Sequence, residues 1–145
     1  MHAALVASKD VDPLIRASGL SHLGTLCKTL KFAVQKYIQE ALLCISKTLQ
    51  TDKDVQVRRA AIVTIFLLLE GMGYNVLFEA PQTVEIIKKQ LEFGLSDPDP
   101  ITQLHSSLAL QIISEALDLF FQTPSPPSSL AIPLRPVPRL FAPRR

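Results

Sequence analysis

The sequence predicts an all-α fold of stacked helix pairs, and three observations carry that prediction. First, one segment occurs twice, 42 residues apart: Asp12-Pro13-Leu14-Ile15-Arg16 and Asp54-Val55-Gln56-Val57-Arg58 each follow a charged turn and open an apolar run. The equivalences continue as Gly19/Ala61, Leu20/Ile62, Leu23/Ile65, Leu26/Leu68 and Leu30/Met72. Second, apolar residues recur at steps of three and four over long stretches, which is one face of a helix. Third, no segment alternates apolar and polar residues over a strand's length between turn signals.

A two-helix unit repeating every ~40–47 residues is the signature of HEAT- and armadillo-type arrays. Each unit of such an array buries its apolar side only against its neighbours, and the assembled stack presents a surface to other proteins. Composition agrees. Of the 145 residues, 48% are hydrophobic but only 6% aromatic, an aliphatic excess that suits helix-on-helix packing. A chain of this length can build one ordinary core.

His2 to Ser8 reads as the last turns of a helix whose beginning is missing, so the chain is expected to be a piece of a longer solenoid. Ala3, Leu5, Val6, Leu20 and Leu23 would then form an uncovered apolar end. Asp10 or Asp12 caps the next helix, with Pro13 at its first position, where the missing N–H costs nothing. Its inner face is Ile15, Gly19, Leu23, Leu26 and Leu30. A break near Lys31-Phe32 leads to a helix over about 33–50, with Val34, Ile38, Ala41, Leu42, Ile45 and Leu49 inward. Thr51-Asp52-Lys53-Asp54 is a turn and cap, and the pattern restarts over 55–72 with Val57, Ala61, Ile65, Leu68 and Met72 inward. Gly71 and Gly73 end that helix. Glu79-Ala80-Pro81 starts its partner, with Val84, Ile87, Leu91 and Leu95 inward. The third start, Asp97-Pro98-Asp99-Pro100, aligns more loosely. Leu104, Leu108, Ile112 and Leu119 are its inward positions, and His105 stands where the first two units have arginine. The helical repeats thus occupy residues 1–121, in units of about 9–50, 51–95 and 96–121.

From Gln122 the character changes. Seven of the eleven prolines lie in 122–145, a density that forbids helix and sheet. That tail carries four arginines and no acid, whereas residues 1–121 carry eight lysines and three arginines against thirteen acids. It reads as a disordered Pro/Arg-rich tail. Pro133-Leu134-Arg135-Pro136 has the spacing read by SH3-type grooves, a pattern common in any proline-rich stretch. Neither half is basic enough to make nucleic acid a partner. No secretory signal opens the chain. The longest apolar run, Ala60 to Leu69, is half the ~20 residues a membrane span needs, so no integral span is expected.

The search for chemistry returns little. His2, His22 and His105 are scattered, and no Cys-x-x-Cys or His-x-x-x-His occurs. No glycine-rich phosphate loop is present. Cys27 and Cys44 read as small buried hydrophobes. The chain is therefore expected to be no enzyme, with no catalytic residue, cofactor or metal. Arg16 and Arg58 are the most suggestive polar residues. Because they recur with the repeat, they are expected to hold a structural ladder with Asp12 and Asp54, reaching an aspartate in the loop of their own or a neighbouring repeat. Arg59, off the repeat, is expected to face outward as a partner contact.

Leu14-Ile15-Arg16-Ala17-Ser18-Gly19-Leu20-Ser21-His22-Leu23-Gly24-Thr25-Leu26-Cys27, then Val57-Arg58-Arg59-Ala60-Ala61, then Asp97-Pro98-Asp99-Pro100-Ile101-Thr102-Gln103-Leu104-His105 form a specific combination. In that order and spacing it resembles the C-terminal region of the transport and Golgi organization protein 6 family, over roughly residues 9–121. Fungal relatives of that family are described as required for nuclear transport of RNA polymerase II. The resemblance implies a large cytosol-facing α-solenoid that acts in secretory-pathway organisation and, in the fungal members, in assembling or importing polymerase subunits. Its implied partners are secretory-pathway components or RNA polymerase II subunits. Its implied location is cytoplasmic, with Golgi association or shuttling to the nucleus. Family members are several times longer, and the Pro/Arg tail is unlike their ending, as in a truncated or alternative product. Two other readings are a membrane-associated Golgi component held by Ala60–Leu69 and a regulatory subunit of a larger complex.

Overall fold

Two aspartates set where the long helices begin. Asp12 and Asp54 sit in extended backbone and accept hydrogen bonds from the N–H groups one turn in, Leu14 for the first and Gln56 and Val57 for the second. An N-terminal cap of this kind satisfies donors that the helix leaves free, worth about 1 kcal/mol. Pro13 and Pro81 occupy the first turns of their helices. The computed structural model describes residues 1–73 and 79–122. Along them run α1 (His2–Ala7), α2 (Pro13–Leu30), a 3-10 helix (Lys31–Tyr37), α3 (Ile38–Thr51), α4 (Val55–Met72), α5 (Pro81–Leu95) and α6 (Pro100–Gln122). No strand occurs among the described residues. The proline-rich tail and its Pro-x-x-Pro motif lie outside the described residues, apart from Gln122, which ends α6.

The helices form two layers. In one, α2 packs on α4 and α4 on α6; in the other, α3 packs on α5. Between layers α1 lies on α2, α3 on α4 and α5 on α6. The result is a solenoid-like stack of helix pairs. The core runs through its middle, and its largest fully buried side chains include Leu20, Leu23, Leu42, Ile62, Ile65 and Leu91. Burying a side chain of this size stabilises by about 1.5–3 kcal/mol. The apolar run Ala60–Leu69 lies in the middle of α4, with Ala61, Ile62, Ile65 and Leu68 in the core. No helix of the described residues is long and apolar enough to cross a membrane.

The expected inner faces of α3 and α4 are buried throughout, and Val34 is buried within the 3-10 helix that precedes α3. That 3-10 segment replaces the first turn and a half of the helix expected from 33. Lys31, at the end of α2, has φ 49°, a conformation that interrupts the helical path there. Other faces differ from expectation. Ile15, Leu30 and Leu95 are exposed. At the N-terminal end Leu5, Leu20 and Leu23 are buried and α1 lies across α2 at Gly19, while Ala3 and Val6 are exposed. In α6 the buried residues are Thr102, Ser106, Ala109 and Ile113, not Leu104, Leu108, Ile112 and Leu119. Thr102, Ser106, Ala109 and Ile113 stand 45 residues after Val57, Ala61, Thr64 and Leu68, so the third unit follows the second with a three-residue longer connection.

Two glycines at the end of α4 do different work. Gly73 ends the helix at φ 71°, the left-handed conformation glycine adopts without strain. Gly71 is inside the helix, and a Cβ there would collide with the backbone of Cys27 and Lys28. Its missing side chain lets the end of α4 lie directly on the end of α2.

Candidate functional site

The polar residues singled out in the sequence meet at the turns that start α2, α4 and α6. Each turn carries Asp-x-Asp: Asp10/Asp12, Asp52/Asp54 and Asp97/Asp99. In each, the first aspartate accepts the N–H of the second, at 2.9, 3.0 and 2.8 Å. That bond is local and folds the turn so that the first carboxylate stands clear of the helix start.

The arginines use those first carboxylates. Arg16 forks onto Asp52, Nε to Oδ2 at 2.7 Å and Nη2 to Oδ1 at 2.9 Å. Arg58 does the same to Asp97 at 2.7 and 3.2 Å. Each arginine also donates from Nη1 to two carbonyls of its own turn, Asp10 and Val11 for Arg16, Asp52 and Lys53 for Arg58. One guanidinium thus fastens its own turn and the next repeat's turn together. Asp12 and Asp54, expected as the ladder's carboxylates, are instead helix caps. The correction has a geometric cause: the capping carboxylate points down its own helix and is already occupied by N–H donors. Its neighbour two residues earlier faces the preceding repeat.

Arg59 also departs from expectation. It forks onto Asp99, Nε to Oδ2 at 2.9 Å and Nη2 to Oδ1 at 2.6 Å, so it joins two repeats rather than facing a partner. Asp99 caps α6 as well, accepting from the N–H and hydroxyl of Thr102. In the third unit Gln103, four residues after the cap, holds the position of Arg16 and Arg58. Its amide donates to the Asp97 carbonyl at 2.6 Å, keeping the bond to its own turn. His105 is elsewhere on α6, edge-on to Phe66.

The charges respond to this arrangement. Hydrogen bonding to Asp52, Asp97 and Asp99 pushes Arg16, Arg58 and Arg59 further towards the protonated form. Burial alone would raise the Asp52 carboxyl, but the Arg16 guanidinium and the Asp54 N–H together bring it below its ordinary value. The Arg59 guanidinium, helped by Thr102 and opposed by burial, holds Asp99 well below the usual carboxylate range. Such strongly held, bidentate pairs fix the angle between repeats as well as adding stability. The Cys27 thiol, buried, is pushed up to about 11 and is therefore a poor nucleophile at neutral pH. Among the described residues no group of His, Cys, Asp or Glu is placed to hold a metal ion.

Surface recesses lie between helices. A groove of about 280 Å³ separates α3 from α5, with Leu49, Ile86 and Phe93 as apolar walls and Lys89 at its edge. On its floor Gln90 donates to the Leu42 carbonyl at 2.9 Å, while its buried Oε1 has no partner. Leu43, three-quarters exposed, stands on the same layer. On α6 the stripe Leu104, Leu108 and Leu119 faces out. Periodicity alone pointed to that stripe as core.

Helix pairs stacked in two layers and tied turn to turn by arginine–aspartate forks define an α-solenoid segment. No family model matches the chain, and no solved structure matches it. Its sequence is 30% identical over 110 residues to Transport and Golgi organization protein 6 of Drosophila melanogaster, which is 74% of this chain and 12% of that relative. The chain belongs to the transport and Golgi organization protein 6 family. It spans about an eighth of that relative's length.

Proposed function

We propose that the chain is a non-enzymatic, protein-binding segment of an α-solenoid that serves secretory-pathway and Golgi organisation. The relationship to a protein named for transport and Golgi organization carries this reading. The geometry supports the binding part of it. The three arginines of the described residues are engaged in joining repeats, and what the stack offers outward is apolar relief: the α3–α5 groove with Phe93 and Ile86, and the exposed Leu43 of α3. Partly exposed aromatic and aliphatic side chains around a recess are the anchors protein interfaces use. The proposed partners are secretory-pathway proteins met on the cytoplasmic side, at the Golgi.

Affinity capture of the chain, side by side with Phe93→Asp, tests this. Vesicle-coat or other secretory-pathway proteins recovered by the parent and lost by Phe93→Asp support the reading. Recovery of RNA polymerase II subunits instead would move the chain to polymerase assembly and nuclear import, the role described for fungal family members. Retention in membranes after carbonate extraction would favour a membrane-associated Golgi component.

A further inference from the structure

Towards α2, α4 presents Thr64 and Leu67, which stand against Gly24, and Gly71, which lies on Cys27 and Lys28; the Thr64 hydroxyl donates to the Leu20 carbonyl at 2.9 Å. The matching part of α2, 42 residues before Thr64, is His22, with Ile15, Ser18 and Leu26 around it and Gly19 beneath α1. There it is not covered by a long helix. It opens onto a recess of about 550 Å³, walled by those residues together with Leu14 and with Ala3 and Ala7 of α1. Ile15 is 44% and Leu14 74% exposed.

The turn beside this recess repeats the ladder's acceptor. Asp10 Oδ1 receives the Asp12 N–H as Asp52 and Asp97 receive those of Asp54 and Asp99. Asp52 and Asp97 also hold a guanidinium from the repeat before. Asp10 makes no ion pair among the described residues. The recess is thus the seat of a helix and Asp10 the seat of its arginine, in the register that α2 and Arg16 adopt on α4 and Asp52.

We propose that this face docks a helix of the same repeat type that bears an arginine four residues after its capping residue, with α1 in the place of that helix's partner. The guanidinium forks onto Asp10, and the helix's apolar side covers Ile15 and Leu26. A second copy of this chain is a poor occupant. The helix it would offer is α6, which carries Gln103 at the arginine's position and turns that amide back to its own Asp97 carbonyl. The Drosophila relative extends far beyond the matched segment, leaving room for such a repeat. The inference rests on repeat geometry and is independent of the pathway assigned above.

A full chain in which residues 10–51 occur twice in tandem tests it, because the second copy's Asp10 then follows the first copy's Thr51 and faces the first copy's Arg16. The doubled chain is expected to melt in one transition. Asp10→Asn in its second copy should lower that Tm by several degrees, as Asp52→Asn should in the parent. Asp10→Asn in the parent should move Tm by less than about one degree. Independently, Ile15→Cys should label with a thiol reagent at least tenfold more slowly in the second copy than in the parent. Two separate transitions, a silent second-copy Asp10→Asn, or equal labelling of the two Ile15→Cys chains would each overturn the proposal.

Discussion

Arg58 and Lys28 both hold a carboxylate at under 3 Å, yet their pairs differ in worth. Arg58 and Asp97 have side chains 12% and 4% exposed, whereas Lys28 and Glu70 are 51% and 58% exposed. Water screens the second pair, and such pairs contribute about 0–1 kcal/mol. Removing the first leaves a buried carboxylate without its fork, a loss of about 2 kcal/mol or more. Urea unfolding should therefore show Arg58→Ala clearly destabilised and Lys28→Ala within about 0.5 kcal/mol of the parent; equal midpoints for the two would contradict the ladder. Apolar positions divide by the same logic. Ile65 has no exposed surface and Leu43 is three-quarters exposed. Ile65→Asp places an unpaired carboxylate in the core, costing several kcal/mol, and should abolish the folded helical signal in circular dichroism. Leu43→Asp should keep it.

At the scale of the element, Lys31 carries the most evident local strain. Its φ of 49° with ψ −125° is a conformation only glycine takes freely. Lys31→Gly is expected to raise stability by about 1 kcal/mol, seen as a higher urea midpoint at unchanged slope; a lower midpoint would show that the lysine side chain contributes more than the strain costs. Gly71→Ala should do the opposite, because its Cβ meets the backbone at the end of α2. Helix starts were legible in the sequence because capping and proline are local chemistry: Asp12 with Pro13, Asp54, and Pro81 all mark true beginnings. The inward side of α6 was not legible. Periodicity selects the greasiest stripe, Leu104 and Leu108, whereas close approach to α4 and α5 selects small residues, Thr102, Ser106 and Ala109. The hydroxyl of Ser106 is satisfied within the helix by the Thr102 carbonyl, so its burial leaves no orphaned donor. The ladder was half legible. Recurrence of Arg16 and Arg58 marked them as structural, but their partners lie 36 and 39 residues downstream, and Asp52 and Asp54 cannot be told apart by composition. Nothing in spacing marked Arg59 as paired with a residue 40 positions on.

For the whole molecule, the forks at Asp52 and Asp99 link stability to pH. Both carboxyls bind a proton less readily in the fold than in an unfolded chain, where aspartate titrates near pH ~3.9. Their stabilisation is therefore complete above about pH 4 and is lost as pH falls through the lower values of the folded state. Thermal melts should show Tm falling below about pH 4, with a shallower acid slope in Asp99→Asn; identical slopes would mean that Arg59 does not hold Asp99 in its charged form.

The ties between repeats also bear on how quickly the chain finds its fold. Arg16–Asp52 spans 36 residues, Arg58–Asp97 39, Arg59–Asp99 40, Thr64–Leu20 44 and Gln90–Leu42 48. Each closes a loop of about one repeat, whereas the turn that presents the carboxylate closes over residues only two apart. Folding rate falls with the chain separation of the contacts that must be made, and the entropy of closing a loop grows only as the logarithm of its length. The repeat therefore sets the search distance. Adding further units of this design would lengthen the protein without lengthening any closure it has to make.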